Sequence, residues 1–94
     1  MAEESWKPWP GDPRYLVSDQ GRVRGPSGKI MKLQMDPKGR WRAGYTKDGK
    51  TKKPQVHQMV LEAFVGPCPP GHETRHRNGT PTDNRLENLV YGTR

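Results

Sequence analysis

One stretch of this chain carries apolar residues at helical spacing. Val56, Met59, Val60, Ala63 and Phe64 fall at i, i+3, i+4, i+7 and i+8, the stripe of an amphipathic helix with one face on a core. Gly66 ends that helix and Pro67 prevents its continuation. Elsewhere glycine and proline, 21 of 94 residues, cut the chain into short pieces. Leu, Ile, Val and Phe together supply only 13 residues, so three Trp and three Tyr must anchor what core there is. The expectation is one thin-cored, loop-rich domain, marginally stable alone. A chain of this length is expected to hold one domain rather than a multidomain enzyme.

The segments around the helix read as short strands and turns. Trp6 to Pro13 is an extended lead-in, interrupted by prolines, with Trp6 and Trp9 pinning it to a sheet. Tyr15-Leu16-Val17, Arg22-Val23-Arg24 and Lys29 to Leu33 read as strands separated by turns at Asp19-Gln20-Gly21 and Pro26-Ser27-Gly28. Arg40 to Thr46 and Lys50 to Gln55 flank Lys47-Asp48-Gly49, a hairpin signal. Beyond the helix, Glu73 to Arg77 is extended and Asn78-Gly79 is a tight turn. Asp83 or Asn84 caps a single helical turn through Asn88, with Glu87 completing a capping box, and Leu89 to Gly92 is a closing strand. The predicted architecture is α+β: a basic antiparallel sheet domain over 1–54, and a compact unit over 55–94 that begins with the helix.

Charge narrows the partner. The chain carries +7, and residues 22–53 alone hold eleven basic and two acidic residues. Strands this basic can lay an exposed face on a polyanion, and the sequence pI of about 9.9 is the usual footprint of a nucleic-acid binder. Arg22, Arg24, Lys29, Lys32, Arg40, Arg42, Lys47, Lys50, Lys52 and Lys53 are the candidate phosphate contacts, and Trp41 between two arginines either stacks on a base or sugar or joins the core. An acidic protein partner for the same face stays open as a third class. No apolar run approaches the roughly 20 residues that span a bilayer, the acidic start does not read as a secretory signal, and one cysteine, Cys68, excludes an internal disulfide. The chain therefore reads as intracellular. Cys68, His72 and His76 are spaced four apart with His57 upstream. Their types suit zinc, but the intervening prolines break any helix that would align them, and an unpaired thiol in a loop is the simpler reading.

The segment from Thr74 to Leu89 is the most specific feature. A histidine, His76, ends a strand, a Gly turn follows, and an Asn-rich helical turn closes back twelve residues later at Asn88. This segment resembles the HNH endonucleases, in the subgroup found in phages and mobile introns. Val56 to Gly66 is similar to their lead-in helix, and residues 6–33, with Tyr15 to Asp19 and Gly21 to Arg24, look like the modular DNA-contacting domain that often precedes it. His57 matches a recurrent family position at the helix start, where a capping or packing role is expected.

What that resemblance implies is DNA chemistry. The strand-end histidine of the family is the general base that takes a proton from water, and that role maps onto His76. An imidazole suits it because its ordinary pKa of about 6.5 leaves it largely neutral in the cell. The middle asparagine maps onto Asn88, which is expected to hold the backbone of the His76 loop. Arg75 and Arg77 would bring that loop to the DNA. A divalent cation, Mg²⁺ or Mn²⁺, is expected if the protein cuts. The family usually places a metal-binding Asp or Asn where this chain has Arg75, and supplies a further ligand from a helix after the Tyr91-Gly92-Thr93 position. The expectation is a truncated ββα-metal finger with no assigned metal ligands, Glu73, Asn78 and Asp83 being the remaining candidates near His76. Two functions stay open: a DNA-binding relative that has lost catalysis, and an active endonuclease whose metal site is completed by DNA phosphates, a second copy of the chain or a separate fragment. The resemblance places either in the cytoplasm of a bacterial or phage-infected cell.

Overall fold

The structure is a computed structural model that describes residues 4–93, with the side chain of Lys47 outside the described part. Two strands open the fold, β1 (Trp6–Trp9) and β2 (Asp12–Ser18), paired antiparallel as a hairpin. The lead-in expected to be extended is this hairpin's first strand, and its prolines sit where a ladder tolerates them. Pro8 lies on β1, an edge strand, beside an irregularity in register. β3 (Val23–Arg24) adds to the other side of β2, giving a three-stranded sheet.

The basic segment does not form one continuous sheet. β4 (Gln34–Met35) pairs with β5 (Trp41–Arg42), and β6 (Tyr45–Lys47) pairs with β7 (Lys50–Lys52), as two separate antiparallel ladders. The strand expected over Lys29 to Leu33 is absent: a single bridge joins Ile30 to Arg24, and the Met31 N–H donates to the Val23 carbonyl at 2.7 Å. The Asp48-Gly49 hairpin forms as read, with both residues at positive φ, 54° and 75°, the twist a two-residue primed turn requires.

α1 spans Val56–Phe64, and the Val65 and Gly66 N–H groups both donate to the Leu61 carbonyl at its end. Val56, His57, Met59, Val60 and Leu61 are its buried residues. The helix lies on the first sheet and on a C-terminal ribbon of β8 (His72–His76) and β9 (Leu89–Thr93), antiparallel with His76 opposite Leu89. A short 3₁₀ turn, Leu86–Asn88, leads into β9. The capping box is not formed: Arg85 holds the cap position, no side chain caps the turn, and Asp83 and Asn84 bond elsewhere. Among the described residues β9 is the last element.

The core is one cluster built from both halves of the chain. Trp9, Tyr15, Val17, Val23, Ala43 and Tyr45 meet Val56, Met59, Val60, Leu61 and Leu89. Trp9 and Tyr15 pack edge-on against Tyr45, with ring centroids 5.2 and 5.5 Å apart. The Trp9 indole N–H donates to Glu62 of α1 at 3.1 Å, which gives its polar edge a partner. The fold is thus α+β, with small antiparallel sheets around one helix.

Candidate active site

His76 ends β8, and alternation along that strand decides what its ring meets. His72, Thr74 and His76 are half-buried while Glu73 and Arg75 are exposed, as a ribbon with one covered face requires. On the covered side the His76 ring lies 4.9 Å, centroid to centroid, from the ring of His57 at the start of α1. His57 is buried, and among the described residues its Nδ1 has no hydrogen-bond partner. Burial first, and the neighbouring His76 second, push the His57 pKa down to about 4, because a charged ring there would lose its hydration.

The second contact of His76 is Asn84. His76 Nε2 and Asn84 Oδ1 are 2.8 Å apart, and Asn84 is buried. A carboxamide oxygen only accepts, so this contact calls for a proton on Nε2, and in the neutral ring that leaves the lone pair on Nδ1. The ring opens on a polar cleft of about 250 Å³ lined by Arg40, Gln55, His57, Gln58, Glu73, Thr74 and His76.

Asn88 lies behind this loop as a clamp. Its Nδ2 donates to Asn78 Oδ1 and to the Asp83 carbonyl, both at 3.0 Å, and its Oδ1 accepts from the Asn78 N–H at 3.2 Å. The Arg77 N–H donates to the Asn88 carbonyl at 2.7 Å, and the Gly79 N–H closes the turn on the His76 carbonyl. The turn from β8 to β9 is therefore held from inside by one buried amide.

A divalent cation prefers several oxygen ligands, carboxylates among them, and the donors present do not make such a set. Among the described residues no group of three or more His, Cys, Asp and Glu side chains converges. Asp83 is taken by Arg85, which grips both its oxygens at 2.8 Å and holds its pKa down to about 2. Asn78 is committed to Asp83 and Asn88. Glu73 is on the exposed face of β8. Arg75 lies across Gly92 on that same face, where its Cδ would stand 2.7 Å from a Cβ built on the glycine, and a guanidinium offers no lone pair. Among the described residues the hydrogen bonds of the Cys68 and His72 side chains go to main-chain carbonyls, Cys68 Sγ to those of Pro69 and His72, and His72 Nδ1 to that of Pro70.

The basic residues divide into two groups. Arg22 is paired with Glu4, Arg24 stacks over Trp6 with its charge 4.7 Å from the ring, and Arg42 bonds Asp36 at 2.8 Å and the Lys53 carbonyl. These arginines brace the fold. Trp41 is half-buried against the core. Lys29, Lys32, Lys50, Lys52, Lys53, Arg75 and Arg77 are exposed, and none forms an ion pair among the described residues. Arg40 lines the His76 cleft. Asn84 and His57 are the site residues that sequence reasoning passed over, one read as a helix cap and the other as packing. Asn84 lies outside any regular element, so no periodicity points to its partner.

Residues 55–94 match the family model of the HNH endonucleases. The chain is 36% identical over 90 residues to the DNA endonuclease I-HmuI of Bacillus phage SP01, covering 94% of this chain and 52% of that protein. An uncharacterized HNH endonuclease of Acanthamoeba polyphaga mimivirus is 28% identical over 78 residues, 82% of this chain and 23% of its own length. A solved structure of the HNH homing endonuclease I-HmuI superposes with a TM-score of 0.84 at 35% identity, over 95% of this chain and 52% of that one. The chain spans about half the length of I-HmuI. Residues 55–94 are thus similar to the HNH endonucleases, and the chain as a whole is similar to about half of a phage HNH homing endonuclease.

Proposed function

We propose that this chain binds double-stranded DNA and presents His76 to the phosphate backbone as the general base of an HNH-type strand cleavage. The observation that carries the reading is the His76 imidazole, held at Nε2 by Asn84 beside a polar cleft that includes Arg40. In that arrangement Nδ1 takes a proton from water. The hydroxide oxygen bonds to phosphorus, the bond from phosphorus to the 3′ oxygen breaks, and the 3′ oxygen takes a proton from solvent. Arg40 faces the negative charge that builds on the phosphate. Lys29, Lys32, Lys50, Lys52 and Lys53, with Arg75 and Arg77 on the ribbon, neutralise the flanking phosphates.

Divalent-cation dependence is general among HNH endonucleases, and the described donors do not compose a cation site. That observation favours a second reading, a DNA-binding relative that does not cut. Plasmid nicking by the purified chain with Mg²⁺, Mn²⁺ or EDTA, beside His76→Ala, separates the two. Metal-dependent nicking lost in the variant supports the endonuclease. Salt-sensitive binding equal in both proteins, with no nicking, supports the binder, and failure to bind duplex DNA at low salt overturns both.

A further inference from the structure

We propose that Asn84, clamped by the turn that follows β2, is the positioning residue that sets the orientation and tautomer of His76, so that the N-terminal sheet sets up the base. The proposal rests on reading His76 as the base. Asn84 is buried, yet it belongs to no strand or helix, so no backbone ladder fixes its side chain. Its place comes from the Asp19–Gly21 turn. The Leu86 N–H donates to the Asp19 carbonyl at 2.8 Å. Gly21 lies against Asn84 so closely that a Cβ on it would stand 2.9 Å from Asn84 Cβ and 3.0 Å from the Asn84 carbonyl oxygen.

The turn itself is stiff. Ser18 is fully buried, and its Oγ accepts from the Gln20 and Arg22 N–H groups at 3.2 and 3.0 Å. The Gly21 N–H closes the turn on the Ser18 carbonyl at 3.1 Å. Gly21 has φ +85°, a conformation open to glycine at no cost and to asparagine at little. A rigid turn, a glycine that leaves room for one side chain, and that side chain's single oxygen on Nε2 form a continuous path from β2 to the imidazole.

Gly28 supplies the control. It has the same φ of +85°, but a Cβ there would meet nothing within 4 Å. Gly21→Asn and Gly28→Asn therefore place the same side chain on the same backbone conformation, and only the first collides with Asn84. The test is nuclear magnetic resonance of the full chain with isotope-labelled histidine, free of DNA and divalent cations, the His76 signals being assigned with His76→Gln. In the parent protein the Nε2-bound proton is resolved and exchanges slowly, and Nδ1 reports as unprotonated. Asn84→Leu, similar in shape but without an acceptor, speeds exchange of that proton roughly tenfold. Asn84→Asp keeps an acceptor and keeps the signal. Gly21→Asn behaves like Asn84→Leu, and Gly28→Asn like the parent. An unchanged Nε2 proton in Asn84→Leu overturns the role of Asn84, and equal behaviour of the two glycine variants overturns the clamp. Because no DNA or cation is present, failure here is distinct from failure to nick.

Discussion

His57 is a titratable group placed where its charged form is disfavoured. It is buried at the start of α1 against His76, and its pKa is pushed down to about 4. The unfolded chain binds that proton near 6.5, so between about 4 and 6.5 the unfolded state holds more protons and stability rises with pH. The contribution is complete above pH 6.5 and is lost as pH falls through that window. Urea unfolding at pH 7 and pH 4 should show a loss of roughly 2 kcal/mol from this group, and His57→Phe should flatten that part of the profile. A pH dependence identical in the two proteins would remove His57 as its source. Asn88 gives a second prediction. Its amide makes three hydrogen bonds inside the loop that carries His76, so Asn88→Ala removes all three while its partners at Asn78 and Asp83 can turn to water, and it should cost about 1–2 kcal/mol in denaturant unfolding.

Among the elements, α1 shows how far a periodic stripe can be trusted. Val56, Met59 and Val60 are buried as their spacing requires, but Leu61, off the stripe, is just as buried, while Ala63 and Phe64 are only partly covered. The helix packs against both the first sheet and the C-terminal ribbon, and covering by two elements calls for a wider apolar arc. Leu61→Ala should therefore cost about 2–4 kcal/mol, and a loss under 1 kcal/mol in thermal or urea unfolding would contradict the packing. In the β6–β7 hairpin the turn is local in origin. Gly49 sits at φ 75° with open space around it, so Gly49→Ala should cost about 1 kcal/mol from backbone strain alone and leave DNA affinity almost unchanged in a binding titration.

At the scale of the molecule, charge and size set the DNA prediction. The chain extends 34 Å along its longest axis, about ten base pairs at 3.4 Å per step. Hydroxyl-radical footprinting should protect about one turn of duplex. If about six exposed cations reach phosphates, the logarithm of the binding constant should fall against the logarithm of salt concentration with a slope near −5. A flat salt dependence would contradict phosphate neutralisation by the exposed lysines. Arg42→Gln should act differently from the lysine changes. Its guanidinium is engaged with Asp36 and Lys53, so its loss should appear in stability before it appears in affinity.

Local chemistry by itself determined the helix at 56–64 and its stop at Gly66, the Asp48-Gly49 hairpin, and the strand, turn and return strand that carry His76 and Asn88. Each depends on residues within a dozen positions of one another, where periodicity, a glycine at positive φ or a short return loop is decisive. The strand expected over Lys29 to Leu33 failed because ladder pairing depends on a partner elsewhere in the chain, and β3 offers it only one bridge. The same limit hid the finer parts of the site. Tertiary structure decided that Arg22 braces the fold, because Glu4, 18 residues away, comes to it only once the first sheet forms, whereas Arg42 meets Asp36 locally across the β4–β5 turn. It also brought His57 to the His76 ring across 19 residues of sequence, and set Asn84 between His76 and the Gly21 turn. Those contacts join segments that share no periodicity, so only the packing of the helix, the sheet and the ribbon around one core could define them.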